Sequence, residues 1–198
     1  MDDNSIFNHI NTVSKISVED FKRFIELSEL KYIKKNSKIL VQGKDSSKLY
    51  FIKSGYLMTY HVTESKLTHV IQFGSDGWWT GDLENIKEGN YSNCTIKAMT
   101  DAAILVFSYE NFEKLLADSP NFEKYFGILF QNALKSLQKR FLQNISLPAE
   151  KRYEELIKKH PKSELYFPQK YVAYFLGITP EFLSKIKSRL YLNTIQQN

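Results

Sequence analysis

The chain has 198 residues, 42% of them hydrophobic and 25% charged, close to globular averages and too apolar for wholesale disorder. No apolar run approaches the roughly 20 residues a membrane helix needs, and Met1-Asp2-Asp3-Asn4-Ser5 lacks the basic-then-apolar pattern of a secretory signal, so a soluble, cytoplasmic protein is expected. The net charge of +5 is unevenly spread. Residues 1–119 hold 14 Lys/Arg against 16 Asp/Glu, whereas residues 120–198 hold 13 against 6, which points the C-terminal part toward a polyanion.

Ser17-Val18-Glu19-Asp20 is a Ser-x-x-Asp variant of the capping box, and Phe21, Phe24, Ile25 and Leu27 follow at helical spacing. From Leu30 the period shortens. Tyr32-Ile33, Ile39-Leu40-Val41, Leu49-Tyr50-Phe51-Ile52, 56–62, 67–73, 95–98 and 102–107 are short apolar runs. They are separated by turn-forming stretches such as Lys34-Lys35-Asn36-Ser37, Gly43-Lys44-Asp45-Ser46-Ser47 and Ser54-Gly55. Six to eight short strands so punctuated predict a double-sheet or closed architecture such as a jelly roll. Trp78-Trp79 lines a pocket in that roll or, the favoured reading, fills its core.

The period then lengthens. Phe112, Leu115 and Leu116 mark a short helix, and Pro120 starts a long one. Within it Phe126, Phe130, Ala133, Leu137, Arg140 and Asn144 alternate spacings of four and three, with Leu129, Leu134 and Phe141 beside them. Such a stripe packs on the β domain or, as favoured here, on the same helix of a second subunit. Leu147-Pro148 breaks the helix, and another runs to His160-Pro161.

Pro168 to Gly177 reads as a helix with Pro at its start and Gly just past its end. Thr179 is a natural N-cap for the next helix, with Pro180 at its first position and Glu181 suited to the positive end of its dipole. Phe182, Leu183, Ile186 and Leu190 fall on one face, and Ser184, Lys185, Lys187, Ser188 and Arg189 on the others. Two helices joined by Gly-Ile-Thr, with small Ala173 at their crossing, form a helix-turn-helix whose second helix enters the DNA major groove.

Chemistry of other kinds has little support. The four histidines show no HxH or HExxH spacing, and His61-Val62-Thr63 and His69-Val70-Ile71 fail the pattern of a metal-dependent enzyme on a β-roll. A lone Cys94 excludes an internal disulfide, a Cys-rich zinc site and a cysteine-held iron–sulfur cluster. No metal and no enzymatic activity are expected.

Ile39-Leu40-Val41-Gln42-Gly43, Leu49 to Gly55, Gly81-Asp82-Leu83, Ala98-Met99-Thr100-Asp101-Ala102 and Val172 to Lys185, in this order, resemble the Crp/Fnr family of bacterial transcription regulators. The resemblance implies an α+β chain: a double-stranded β-helix (jelly roll) sensor domain over 1–118, a dimerisation helix and hinge over 119–146, and a winged helix-turn-helix over 147–198. Little chain follows Leu190 to form a wing, so Leu165-Tyr166-Phe167 is expected to supply a strand before the motif. The resemblance further implies a homodimer on a roughly palindromic operator, RNA polymerase as a partner, and a small effector whose identity the sequence leaves open. By position Pro180, Glu181, Ser184 and Lys185, next to Thr179, match base-reading residues. Gln169, Lys187 and Arg189 match phosphate contacts. Lysine at 185, where many relatives carry arginine, offers a point donor rather than a fork.

In that family cyclic nucleotide lies against a short segment matching Gly81, Asp82 and Leu83, where an acidic residue holds the ribose and a later arginine the phosphate. Ser92, followed by Asn93, stands where the arginine belongs. A buried phosphate without a cation keeps a desolvation cost of several kcal/mol, and Glu84 and Glu88 worsen the field. Cyclic AMP is therefore not expected as a cofactor, and the pocket is vestigial or tuned to another effector. Two alternatives stand beside this reading: a regulator responsive to cyclic nucleotide or another small effector, and an interaction module that has lost DNA binding.

Overall fold

The computed structural model describes residues 1–87 and 90–196, the side chains of the last four of these excepted. Eight strands form two four-stranded antiparallel sheets. The first has the order β1 (Glu29–Ile33), β8 (Ala102–Ser108), β3 (Lys48–Ser54), β6 (Trp79–Thr80). The second has the order β2 (Lys38–Leu40), β7 (Thr95–Ala98), β4 (Leu57–Val62), β5 (Thr68–Gly74). The predicted jelly roll is present.

Strand alternation builds three layers of apolar contact. From β3 and β8, Tyr50, Ile52, Ile104 and Val106 point between the sheets and meet Leu40, Leu57, Ile96 and Ala98. Their neighbours Leu49, Phe51, Leu105 and Phe107 point outward, beneath α1 (Asp3–Val13), α2 (Val18–Glu26), α3 (Tyr109–Asp118) and the start of α4 (Pro120–Ser146). Burial on both faces is why β3 and β8 read as unbroken apolar runs. Gly55 closes the β3–β4 turn at φ 97°, and a Cβ there would fall 2.6 Å from the Asp101 carbonyl.

Local signals set the helix ends. Ser17 and Asp20 make the predicted capping box. Helix α1, which precedes it, was not resolved from the sequence as a separate element; Asp2 caps it through Ser5 N–H. Ser119 caps α4 with Pro120 in its first turn, and its hydroxyl also donates to Asp20, tying α4 to α2.

The third layer joins the roll to the C-terminal helices α5 (Ala149–Lys159), α6 (Ser163–Tyr166), α7 (Gln169–Leu176) and α8 (Pro180–Gln196). Met58 and Tyr60 of β4 and Val70 and Phe73 of β5 face outward against Phe167, Val172 and Phe175. Phe73 lies 4.0 Å from the Phe167 ring and 5.0 Å from that of Phe175, and Tyr56 stacks on Tyr166 at 3.8 Å.

Three expectations need correction. Leu165-Tyr166-Phe167 is no wing strand: Ser163 to Tyr166 is a helical turn, held by Phe167 N–H donating to Ser163 O. Its rings dock on Tyr56 and Phe73 instead of pairing in a sheet, and among the described residues no strand follows β8. The apolar row on α4 is rotated by one residue from the predicted stripe. Phe126 is buried in the core against Trp79 and Phe112. Arg140 turns to the roll, donating to Ile71 O at 2.6 Å and lying 5.1 Å over the Phe175 ring. The solvent-facing row is Phe130, Leu134, Leu137, Phe141 and Ile145, with Ala133 beside it. Finally, Trp79 packs on the outer face of the first sheet with Phe51 and Phe107, while Trp78 is partly exposed and lies near His160.

Candidate nucleic-acid interface and sensor segment

The helix-turn-helix is built from α7 and α8. Gly177 takes the left-handed conformation at φ 68° that ends α7. Thr179 Oγ1 accepts from Phe182 N–H at 3.2 Å, capping α8. Ala173, fully buried, sits with Val172, Leu183 and Ile186 in the core that fixes the crossing. Phe182, placed by the sequence on the buried face, is 48% exposed.

Glu181, Ser184, Lys185, Ser188, Arg189 and Leu192 of α8 form a solvent-facing strip at helical spacing. Lys185 has no ion-pair partner among the described residues. Arg189 pairs with Glu150 of α5 at 3.2 Å. Lys187 lies off the strip, half-buried, and pairs with Glu164 at 2.7 Å. Gln169 is exposed at the start of α7 and Pro180 is half-buried at the start of α8. The structure thus gathers Glu181, Ser184, Lys185 and Arg189 on one surface and leaves Lys187 and Gln169 outside it. Ser188 belongs to the same surface; its spacing of four from Ser184 would have placed it there.

Two arginines tie the helix-turn-helix to the rest of the chain. Arg140 joins α4, β5 and α7 as described, and burial lowers its pKa. Arg152 donates through Nη1 to Asn144 Oδ1 at 2.9 Å and to Leu176 O at 2.8 Å. It links the end of α4 to the C-terminus of α7, where a cation is favoured. A charged residue inside an apolar stripe was the available signal for Arg140.

The sensor segment follows β6. Gly81 approaches Leu49 so closely that a Cβ would lie 2.6 Å from Leu49 Cδ2. Asp82 is buried, and its Oδ2 accepts from Ser92 Oγ at 2.9 Å and Asn93 N–H at 2.6 Å. The two positions that the resemblance assigns to ribose and phosphate therefore bond each other. Ser92 Oγ also accepts from Cys94 N–H at 3.1 Å. Ser46 Oγ, fully buried, donates to Asn85 O and so closes the segment onto the β2–β3 turn. Leu83 and Glu84 are exposed, and Glu88 lies outside the described residues. Inside the roll, Tyr50 donates to Ile39 O at 3.1 Å. Burial, with Asp45 and Cys94 nearby, pushes its pKa up to about 12. Burial likewise raises the Cys94 thiol, which makes it a packed group rather than a reactive thiolate.

Residues 30–119 match the family model of the cyclic nucleotide-binding domain. Among solved structures, the c-di-GMP-responsive global regulator CLP of Xanthomonas campestris superposes with TM-score 0.72 at 14% identity, over 90% of this chain and 93% of that one. FixK2 of Bradyrhizobium japonicum does so with TM-score 0.72 at 15% identity, over 85% and 86%. A transcriptional regulator assigned to the crp/fnr family from Eubacterium rectale gives TM-score 0.71 at 17% identity, over 96% and 88%. The fold is that of the Crp/Fnr regulators. An uncharacterized protein of Haemophilus influenzae is 28% identical over 108 residues, covering 54% of this chain and 83% of its own. At such identities the Crp/Fnr likeness speaks for architecture, from roll through long helix to helix-turn-helix. Among the described residues no helix is long and apolar enough to cross a membrane.

Proposed function

We propose that the chain is a dimeric, DNA-binding transcription regulator of the Crp/Fnr type that does not use cyclic AMP. The observation carrying this reading is the polar strip Glu181–Ser184–Lys185–Ser188–Arg189, presented to solvent by a helix whose opposite face, Leu183 and Ile186, is buried. Lys185 suits a guanine acceptor pair and Glu181 a cytosine amine, while Gln169, Lys187 and Arg189 suit phosphates. The row Phe130, Leu134, Leu137 and Phe141 is the surface that a second copy covers; each side chain is already about half buried, so covering it gains about 1 kcal/mol, roughly half the value for complete burial. Two reading helices then enter successive major grooves about 34 Å apart on a near-palindromic site.

The sensor segment argues against cyclic AMP, because Asp82 is already satisfied by Ser92 and Asn93 and no cation stands at position 92. An effector of another kind acts by shifting the docking of α7 on β5, and RNA polymerase is the expected downstream partner. Selection of bound sites from random duplexes, followed by anisotropy titration at several salt concentrations, tests the reading. Regulation by DNA binding requires a palindromic consensus and a log K that falls with log salt by about 0.9 per phosphate neutralised. Absence of salt-dependent binding favours the interaction module. Calorimetric titration with cyclic AMP is expected to give no micromolar binding, and a micromolar affinity removes the claim about the segment.

A further inference from the structure

We propose that the cleft between the roll and the reader is an effector site for a nucleoside phosphate, separate from the segment around Asp82. The cleft measures 380 Å³, within the range of small-molecule sites, and lies between two domains, where such sites concentrate. Lys35 and Asn36 of the β1–β2 turn and Lys97 of β7 form one wall; Tyr166, Lys170 and Tyr171 form the other.

Its charge is one-sided. The Nζ atoms of Lys35, Lys97 and Lys170 have no carboxylate partner among the described residues, and Lys170 rests 4.9 Å from the Tyr171 ring centroid. The carboxylates near them are taken. Asp101 accepts from Lys34 Nζ at 3.2 Å and from Lys35 N–H at 2.8 Å. Glu164, the acidic residue of the lining, accepts from Lys187 Nζ at 2.7 Å and from Tyr153 OH at 3.0 Å. Three ammonium groups lining one concave surface favour an anion of multiple charge. The N-terminus of α7, which has no side-chain cap, adds its dipole in the same sense.

The other half of the lining is flat and apolar. Tyr166 is held parallel to Tyr56, Tyr171 lines the same cleft, and Leu165, also in the lining, is 77% exposed. Phosphate on the lysines with a base against these side chains uses both halves of the cleft, which a bare anion does not. Such a ligand touches the roll through Lys35 and Lys97 and the reader through Lys170, so its binding biases how the two are docked. The site itself stands whether or not the protein binds DNA.

Calorimetry on the full chain at low salt, with adenosine and guanosine 5′-diphosphates, the two nucleosides and inorganic pyrophosphate, tests the proposal. A diphosphate is expected to bind, with the corresponding nucleoside and pyrophosphate each weaker by roughly tenfold or more, about 1.4 kcal/mol per tenfold step. Lys97→Gln and Lys170→Gln should each weaken the diphosphate about tenfold, whereas Lys66→Gln on the β4–β5 turn leaves it unchanged; melting curves establish that the variants fold. The proposal fails if no diphosphate binds up to millimolar concentration, or if nucleoside or pyrophosphate binds equally well. It also fails if Lys44→Gln beside Ser92 abolishes binding that Lys97→Gln leaves intact. Nucleotide-independent loss of duplex affinity in Lys35→Gln and Lys97→Gln, without nucleotide binding, makes these lysines backbone contacts and overturns it as well.

Discussion

The sensor segment and the reading helix hold similar inventories of small polar and acidic side chains, and the structure uses them in opposite ways. Around Asp82 the groups face inward and satisfy one another: Ser92 and Asn93 give their protons to one carboxylate oxygen. On α8, Glu181, Ser184 and Lys185 face outward, and neither Glu181 nor Lys185 has a side-chain partner among the described residues. A buried polar group whose bonds are complete holds structure together, because any ligand must first displace those bonds. An exposed one without partners costs the fold little and remains available to a ligand.

That contrast can be broken or sharpened by substitution. The largest effect is expected at the apolar row of α4 proposed to meet a second copy. Leu137→Glu with Phe141→Glu, both side chains more than half exposed, should leave melting nearly unchanged while sedimentation reports a monomer. Operator affinity should fall on the order of 10²-fold as bivalence is lost. Next, Asp82→Ala strands the Asn93 N–H, while Ser92 Oγ keeps the Cys94 carbonyl as an acceptor at 2.9 Å, and should cost about 1–3 kcal/mol, with Tm falling roughly 2–4 °C per kcal/mol. Glu181→Ala should stay within about 0.5 kcal/mol in the same thermal assay. Equal losses from the two acidic residues would erase the distinction drawn here.

On the reader, Lys185→Ala should relax base preference at one position by about 1–3 kcal/mol. Lys187→Ala should weaken all sequences alike, by under about 1 kcal/mol given its tie to Glu164; parallel site-selection experiments separate the two. The smallest effect concerns His160, near Trp78. Burial first, and then Lys159, lower its pKa from 6.5. The unfolded chain therefore binds its proton more readily, and stability is lost as pH falls through 6.5 toward the lowered folded value. His160→Gln should flatten Tm against pH across that window.

The elements were legible where local chemistry writes them: turns rich in Lys, Asn, Ser and Gly between β runs, Pro120 at the start of α4, and Gly177 then Thr179-Pro180 in the helix-turn-helix. That Ser92 stands where the resemblance implies an arginine could be read from the sequence, whereas Asp82 turning to Ser92 could not, since that bond depends on a fold in three dimensions. Docking of the reader was hidden for the same reason. Tyr56 and Phe73 read as ordinary strand residues, and Phe167 as part of a wing, because nothing local tells an aromatic side chain which distant surface it will cover. Periodicity also tied Arg140 to the apolar stripe, although its guanidinium finds the Ile71 carbonyl on the other side of the helix.

The aromatic seam between the roll and the reader has a consequence for biosynthesis. Strands β4 and β5 leave the ribosome long before Phe167, Val172 and Phe175, the side chains that cover Met58, Val70 and Phe73. The nascent roll thus carries a bare apolar sheet face through the remainder of translation. That interval is when this polypeptide is most exposed to self-association and most in need of a chaperone.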